Sequence, residues 1–154
     1  MPQIIVETVI NANIEVCFDL VRDIRFYAES LKNRNEIPID GKISGLVEQG
    51  DEITWETNHL NFMQHLTLKV TELEKPFLFV DEMVKGEFHT YIHKHIFKEE
   101  NGKTIMVDDM CFESKYGIFG RMLDELFLKR YFKKILVTRN KALKIRAEQL
   151  SKKS

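Results

Sequence analysis

The chain has 154 residues, of which 44% are hydrophobic and 31% charged, and a formal net charge of -1. That length fits one domain, residues 1–154, with a sizeable core, and the near-neutral balance excludes broad, charge-driven binding to nucleic acid. No apolar run approaches the roughly 18 residues of a membrane span. The opening Met1-Pro2-Gln3-Ile4-Ile5-Val6 has neither the basic segment nor the apolar core of a signal peptide, so a cytoplasmic location is expected. Cys17 and Cys111 lie far apart, which reads as two reduced thiols.

Residues 3–10 are rich in β-branched side chains and predict a strand. Asn11 or Asn13 can cap a short helix carrying Ile14, Cys17, Phe18, Leu20 and Val21, and a second helix is expected from Asp23 to about Leu31. Lys32–Asp40, polar and containing Pro38, reads as a loop. A run of antiparallel strands follows: Asp51–Leu60, Met63–Leu73, Pro76–Val84, Phe88–Lys98 and Thr104–Glu113. Asn101-Gly102 between the last two is a strong hairpin signal, because both residues tolerate positive φ. From Ile118 to about Gln149, apolar residues recur at steps of three and four, including Phe119, Met122, Leu126, Phe127, Ile135, Leu136 and Leu143. They predict one long amphipathic helix to cover the sheet. A sheet curved around such a rod leaves room for a cavity between the two.

Alternation along Phe88–Lys98 puts Tyr91, His93 and His95 on one face, and on the next strand Met106, Asp108 and Met110 share a face. Both sets are expected to point inward, since Lys94, Asp109 and Glu113 then reach water. His93 and His95 stand about 7 Å apart along the strand, with Asp108 expected beside them. Three readings are open: a metal site, a general acid–base pair, or a hydrogen-bonded His–Asp pair in a partly hydrated interior. A third metal ligand (His59, His65 or His89) is not fixed by spacing, so no metal and no cofactor are expected. Asp81 has the parity of Phe79, and an inward Asp81 would need a histidine partner. The expected pocket lining is Trp55, His59, Phe79, Asp81, Tyr91, His93, His95, Met106, Asp108, Met110, Phe112 and Met122. Eight Lys or Arg and no acid lie between Lys129 and Arg146. They read as the solvated face of the helix, with weak docking to an anionic membrane surface as the sharper alternative.

Several stretches in chain order carry a resemblance: Ile10-Asn11-Ala12 through Val16-Cys17-Phe18-Asp19-Leu20, Gly50-Asp51-Glu52-Ile53-Thr54-Trp55, Phe79 to Gly86, His93-Lys94-His95-Ile96-Phe97, and Gly102 to Asp108. Together they resemble the SRPBCC superfamily of START and Bet v 1-related proteins, in its polyketide cyclase/dehydrase-like branch of small bacterial proteins. The resemblance implies an α+β helix-grip fold: a curved antiparallel sheet of about six to seven strands around a long C-terminal helix, with two short helices after the first strand. It implies binding of a lipid, quinone or polyketide-like molecule. The alternative it offers is a cyclase or dehydratase using His93, His95 and Asp108 as acid and base. No catalytic signature of the better-known enzymes aligns.

Overall fold

β-Branched residues fill Gln3–Ile10, which forms strand β1, as their stiff χ1 favours. Asn13 then opens helix α1 (Ile14–Val21), its side-chain oxygen accepting the Val16 N–H at 3.1 Å. Asp23 opens α2 (Ile24–Ser30) in the same way, through the Phe26 N–H at 3.2 Å. Each cap satisfies a backbone donor that the first helical turn leaves free. The computed structural model describes residues 2–31, 36–59 and 62–152, without the side chains of His59 and Phe62.

Six further strands follow: β2 (Ile37–Gly41), β3 (Glu52–His59), β4 (Phe62–Glu74), β5 (Leu78–Lys85), β6 (Phe88–Glu100) and β7 (Lys103–Ser114). All pairs are antiparallel, in one sheet of order β1-β7-β6-β5-β4-β3-β2. Asn101 and Gly102, with φ of 53° and 77°, make the β6–β7 turn as their sequence predicts. The chain then enters α3 (Gly117–Leu123), a π-helical turn (Asp124–Leu128) and α4 (Lys129–Lys152). A curved sheet clasping a terminal helix, with two short helices after the first strand, is the helix-grip arrangement.

Three features depart from the sequence reading. Part of the expected loop at 32–40 is strand β2, paired with β3 through a bulge between Pro38 and Asp40. Proline survives there because β2 is an edge strand whose outer N–H groups need no partner. At the opposite edge, Lys144 Nζ donates to the Val9 carbonyl of β1 at 2.6 Å. A further bulge, at His89, breaks the alternation of β6, leaving His89 exposed and packing Phe88 on Phe112 and Phe132.

The third departure concerns the long helix. Ile135, Leu136, Leu143 and Ala147 are buried as their spacing predicts, but Phe119 is 82% exposed, Leu126 70% and Met122 55%. α3 starts three residues after β7 ends, so it runs past the rim of the sheet. It is held there by Asp124, which accepts the Ser114 N–H at 3.0 Å and the Ser114 hydroxyl.

The interior divides into two apolar clusters. One gathers Ile10, Phe18, Phe79, Phe97, Met106 and Leu143 with their neighbours; the other gathers Ile4, Leu31, Met110, Phe112, Phe132, Ile135 and Leu136. Between them, each of three elements places buried polar residues at one level: His93 and His95 on β6, Asp108 on β7, Arg139 and Asn140 on α4. Cys17 and Cys111 are unpaired, Cys17 fully inside the first cluster.

Leu143 has no exposed surface while Ile145, on the outer side of α4, is 60% exposed. Leu143→Ala is expected to cost about 2–5 kcal/mol by cavity formation, and Ile145→Ala within about 0.5 kcal/mol, both read from urea denaturation midpoints.

Candidate functional site

The polar level is built by register. Across the β6–β7 ladder His95 faces Asp108 and His93 faces Met110, and across β5–β6 Asp81 faces His93. Residues paired in this way share a face, so two histidines and two carboxylates converge from three adjacent strands. Helix α4 supplies the rest. Arg139 Nη2 donates to Asp108 Oδ1 at 2.6 Å, and Asn140 Nδ2 donates to Asp108 Oδ2 at 2.8 Å. The Asn140 oxygen in turn accepts from Arg139 Nε and Nη2 at 2.9 and 2.7 Å, and its amide also reaches Thr8 Oγ1 at 3.2 Å.

His93 Nε2 meets Asp108 Oδ1 at 2.8 Å. His95 stacks on Phe79 with ring centroids 3.9 Å apart, and lies 3.8 Å from the His93 ring. Its Nε2 is 3.4 Å from Asp81 Oδ2; its Nδ1 is 3.4 Å from Asp108 Oδ1, within ion-pair reach but without hydrogen-bond geometry.

Burial by itself would raise the Asp108 carboxyl. The Arg139 guanidinium and the two imidazoles outweigh it and hold Asp108 well below the usual carboxylate range. Asp108 is thus an anion compensated by one cation and oriented donors, which is what a buried charge requires. His93 moves the other way: burial and the neighbouring His95 lower it, against the pull of Asp108. It is therefore a neutral imidazole at neutral pH, donating Nε2–H to Asp108. Burial also drives the Tyr27 and Tyr91 hydroxyls well above their ordinary value, so both are neutral.

Three spaces adjoin this level. A cavity of about 60 Å³ is lined by Trp55, Phe79, Asp81, Tyr91, His93, His95 and Arg139 among others. A second, of about 50 Å³, is lined by Met110, Phe132, Ile135 and Leu136, and shares Tyr27, Trp55, Leu68, Tyr91 and His93 with the first. An open groove of about 1010 Å³ under α3 and the π-helical turn shares Gln64, His65, Glu87, Phe88 and Phe132 with the second. The shared walls put the three in series, from the exterior to the Asp81–His95 pair.

Most of the residues singled out from the sequence gather here, and four do not. Asp108 lines neither cavity and meets them through His93 and His95. Met106 and Phe112 sit on the same inward face of β7 but are wholly enclosed in the apolar clusters. Met122 lies on the exposed side of α3, because the helix begins beyond the sheet rim; the expectation that it faces the pocket is corrected. The His59 side chain lies outside the described residues. Conversely, Arg139 and Asn140 belong to the basic stretch taken from the sequence as a solvated face. Arg139 is nevertheless 2% exposed. Its position three residues after Leu136 and four before Leu143, on the buried stripe, is the signal that marks it.

No protein-family model matches the sequence, and no curated protein does. Among solved structures the fold has clear counterparts. A START superfamily protein from Mycobacterium smegmatis matches at a TM-score of 0.71 with 17% identity, covering 96% of this chain and 98% of the other. A protein from Thermus thermophilus matches at 0.72 with 16% identity, covering 92% and 97%. The ginseng major latex-like protein 151 from Panax ginseng matches at 0.68 with 9% identity, covering 95% and 97%. The chain therefore has the helix-grip fold of START and Bet v 1-like proteins. Among the described residues no helix is long and apolar enough to cross a membrane.

Asp108→Asn keeps the shape and removes the charge, leaving the Arg139 guanidinium buried without its anion. The expected loss is about 3–5 kcal/mol, read from the urea midpoint at neutral pH. Because the folded carboxyl is depressed, its contribution is complete above the ordinary value of 3.8 and is lost as pH falls below it. Wild-type stability should accordingly drop below about pH 4 more steeply than that of Asp108→Asn.

Proposed function

We propose that the protein binds a hydrophobic small molecule, of the lipid, quinone or polyketide-like kind, between the sheet and the terminal helix. The observation that carries this reading is the series of three spaces, which leads from an open groove to the buried Asp81–His95 pair. The two inner cavities alone are small beside pockets of about 300–1,000 Å³ that hold drug-sized ligands. The open groove is not, so the body of the guest rests in the groove and its oxygen-bearing end reaches inward past Phe88 and Tyr91. Covering about 300 Å² of apolar ligand surface provides roughly 7 kcal/mol before ordering costs, which suits a carrier that must also release.

The outward side of the helical segment that covers the groove supports the same reading. Ile118, Phe119, Met122 and Leu126 are exposed and lie beside Arg121, Lys129, Arg130 and Lys133. Apolar side chains flanked by cations favour an anionic bilayer surface, where the apolar part inserts and the charges meet headgroups. A guest could then pass from the bilayer into the groove without crossing water.

Native mass spectrometry of freshly purified protein, with organic extraction, tests for a co-purifying guest. A titration with a long-chain alcohol or quinone reads Trp55, the single tryptophan, which lines both inner cavities. Saturable change is expected, weakened at least tenfold by Leu68→Phe, which fills the wall shared by the two cavities. Phe119→Ser with Leu126→Ser should reduce binding to vesicles of anionic lipid and leave the Trp55 titration intact. A Trp55 signal indifferent to every apolar probe, with nothing extracted, would refute the reading.

A further inference from the structure

From the geometry of the inner cavity we infer that Asp81, His93 and His95 form a binding site for one divalent first-row transition ion, with zinc as the best-suited probe. One ligand atom from each lies within 4.8 Å of the other two. Two imidazoles and a carboxylate are a nitrogen–oxygen donor set of the sort such ions take.

Four observations bear on this. First, Asp81 Oδ1 is buried and has no hydrogen-bond partner, and an orphaned buried polar atom is rare enough in folded proteins to call for a cause. Second, His95 Nε2 and Asp81 Oδ2 are 3.4 Å apart, long for a charge-assisted hydrogen bond. It is instead close to the ~3.3 Å that separates two ligands about 2.0–2.1 Å from a tetrahedral ion. Third, among the described residues Asp81 has no lysine or arginine within ion-pair distance, since Arg139 is engaged by Asp108. A cation between Asp81 and the histidines would balance that carboxylate.

Fourth, the surroundings fix the ligands as metal sites require. His93 gives Nε2–H to Asp108, which leaves Nδ1 for an ion; His95 has Nδ1 toward the same carboxylate, which leaves Nε2. A carboxylate behind a ligating imidazole sets its tautomer and ring angle. Arg139 and Asn140 hold Asp108, and Phe79 stacks on His95. The three ligands line the first cavity, so the fourth position faces open space, as in sites that admit water or a substrate oxygen. The ion would there meet the oxygen-bearing end of the guest; that last step rests on the proposed carrier function, whereas the metal site does not.

The test is calorimetric titration of chelator-treated protein with zinc, in the absence of any apolar ligand, together with the visible spectrum of the cobalt-loaded protein. One ion per chain is expected, with the intense absorption of a four-coordinate cobalt centre. Asp81→Asn and His95→Gln should each weaken binding at least tenfold, with circular dichroism confirming that the variants fold. His89→Ala, at an exposed histidine on the β6 bulge, should leave it unchanged. Absence of stoichiometric binding, an octahedral cobalt spectrum, or affinity lost in His89→Ala but kept in Asp81→Asn would each overturn the assignment. The Trp55 titration with apolar probes reads the carrier function separately, so either can fail alone.

Discussion

The ion pair between Asp108 and Arg139 is the constraint from which the interior follows. Both groups are removed from water, and each is tolerable only because the other is there with its full set of hydrogen bonds. The pair joins β7, the strand beside the β1 edge, to α4, which Lys144 and Asn140 also tie to β1. A shift of α4 by one turn, about 5.4 Å, would set Leu136 or Leu143 against the carboxylate and strand the guanidinium among Phe132 and Ile135. The network therefore defines where the helix sits along the sheet.

The same level keeps the interior from closing. Apolar clusters on either side pack by shape, and side chains in such clusters fill space to crystal-like density. The polar groups between them must keep their hydrogen-bond geometry and cannot be covered by a neighbouring methyl group without loss. Tyr27 packs on both clusters and Tyr91 on the second, and both line the two inner cavities. The cavities lie where apolar packing gives way to directional bonding, which explains why His93 belongs to both walls.

How much of this was legible in the sequence varied with how local the cause was. Strand parity sorted His93, His95, Asp108 and Met110 to the inside, because alternation needs only the neighbouring residues. The Asn101-Gly102 turn and the Asn13 cap were legible for the same reason. The His89 bulge was not, since it depends on how β6 begins against Ser114 and Glu113 rather than on β6 alone. The helix stripe was right from Ile135 onward and wrong up to Phe127: periodicity says which side of a helix is apolar, not whether a sheet lies beneath. Composition also misled at Arg139, where a run of lysines and arginines hid one cation on the buried stripe. Asp81 as the companion of His95 needed the β5–β6 register, which sequence parity alone leaves free by two residues.

The two rims of the sheet bear on how this molecule meets its own kind. At β2, Pro38 withholds a donor and the adjacent bulge spoils the spacing that an incoming strand would have to match. At β1, the Val9 carbonyl is already occupied by Lys144. The β2 border is thus a poor backbone template, and the β1 border is interrupted at Val9. Strand addition to the sheet is thereby disfavoured at β2, and at β1 an incoming strand would have to displace the Lys144 ammonium.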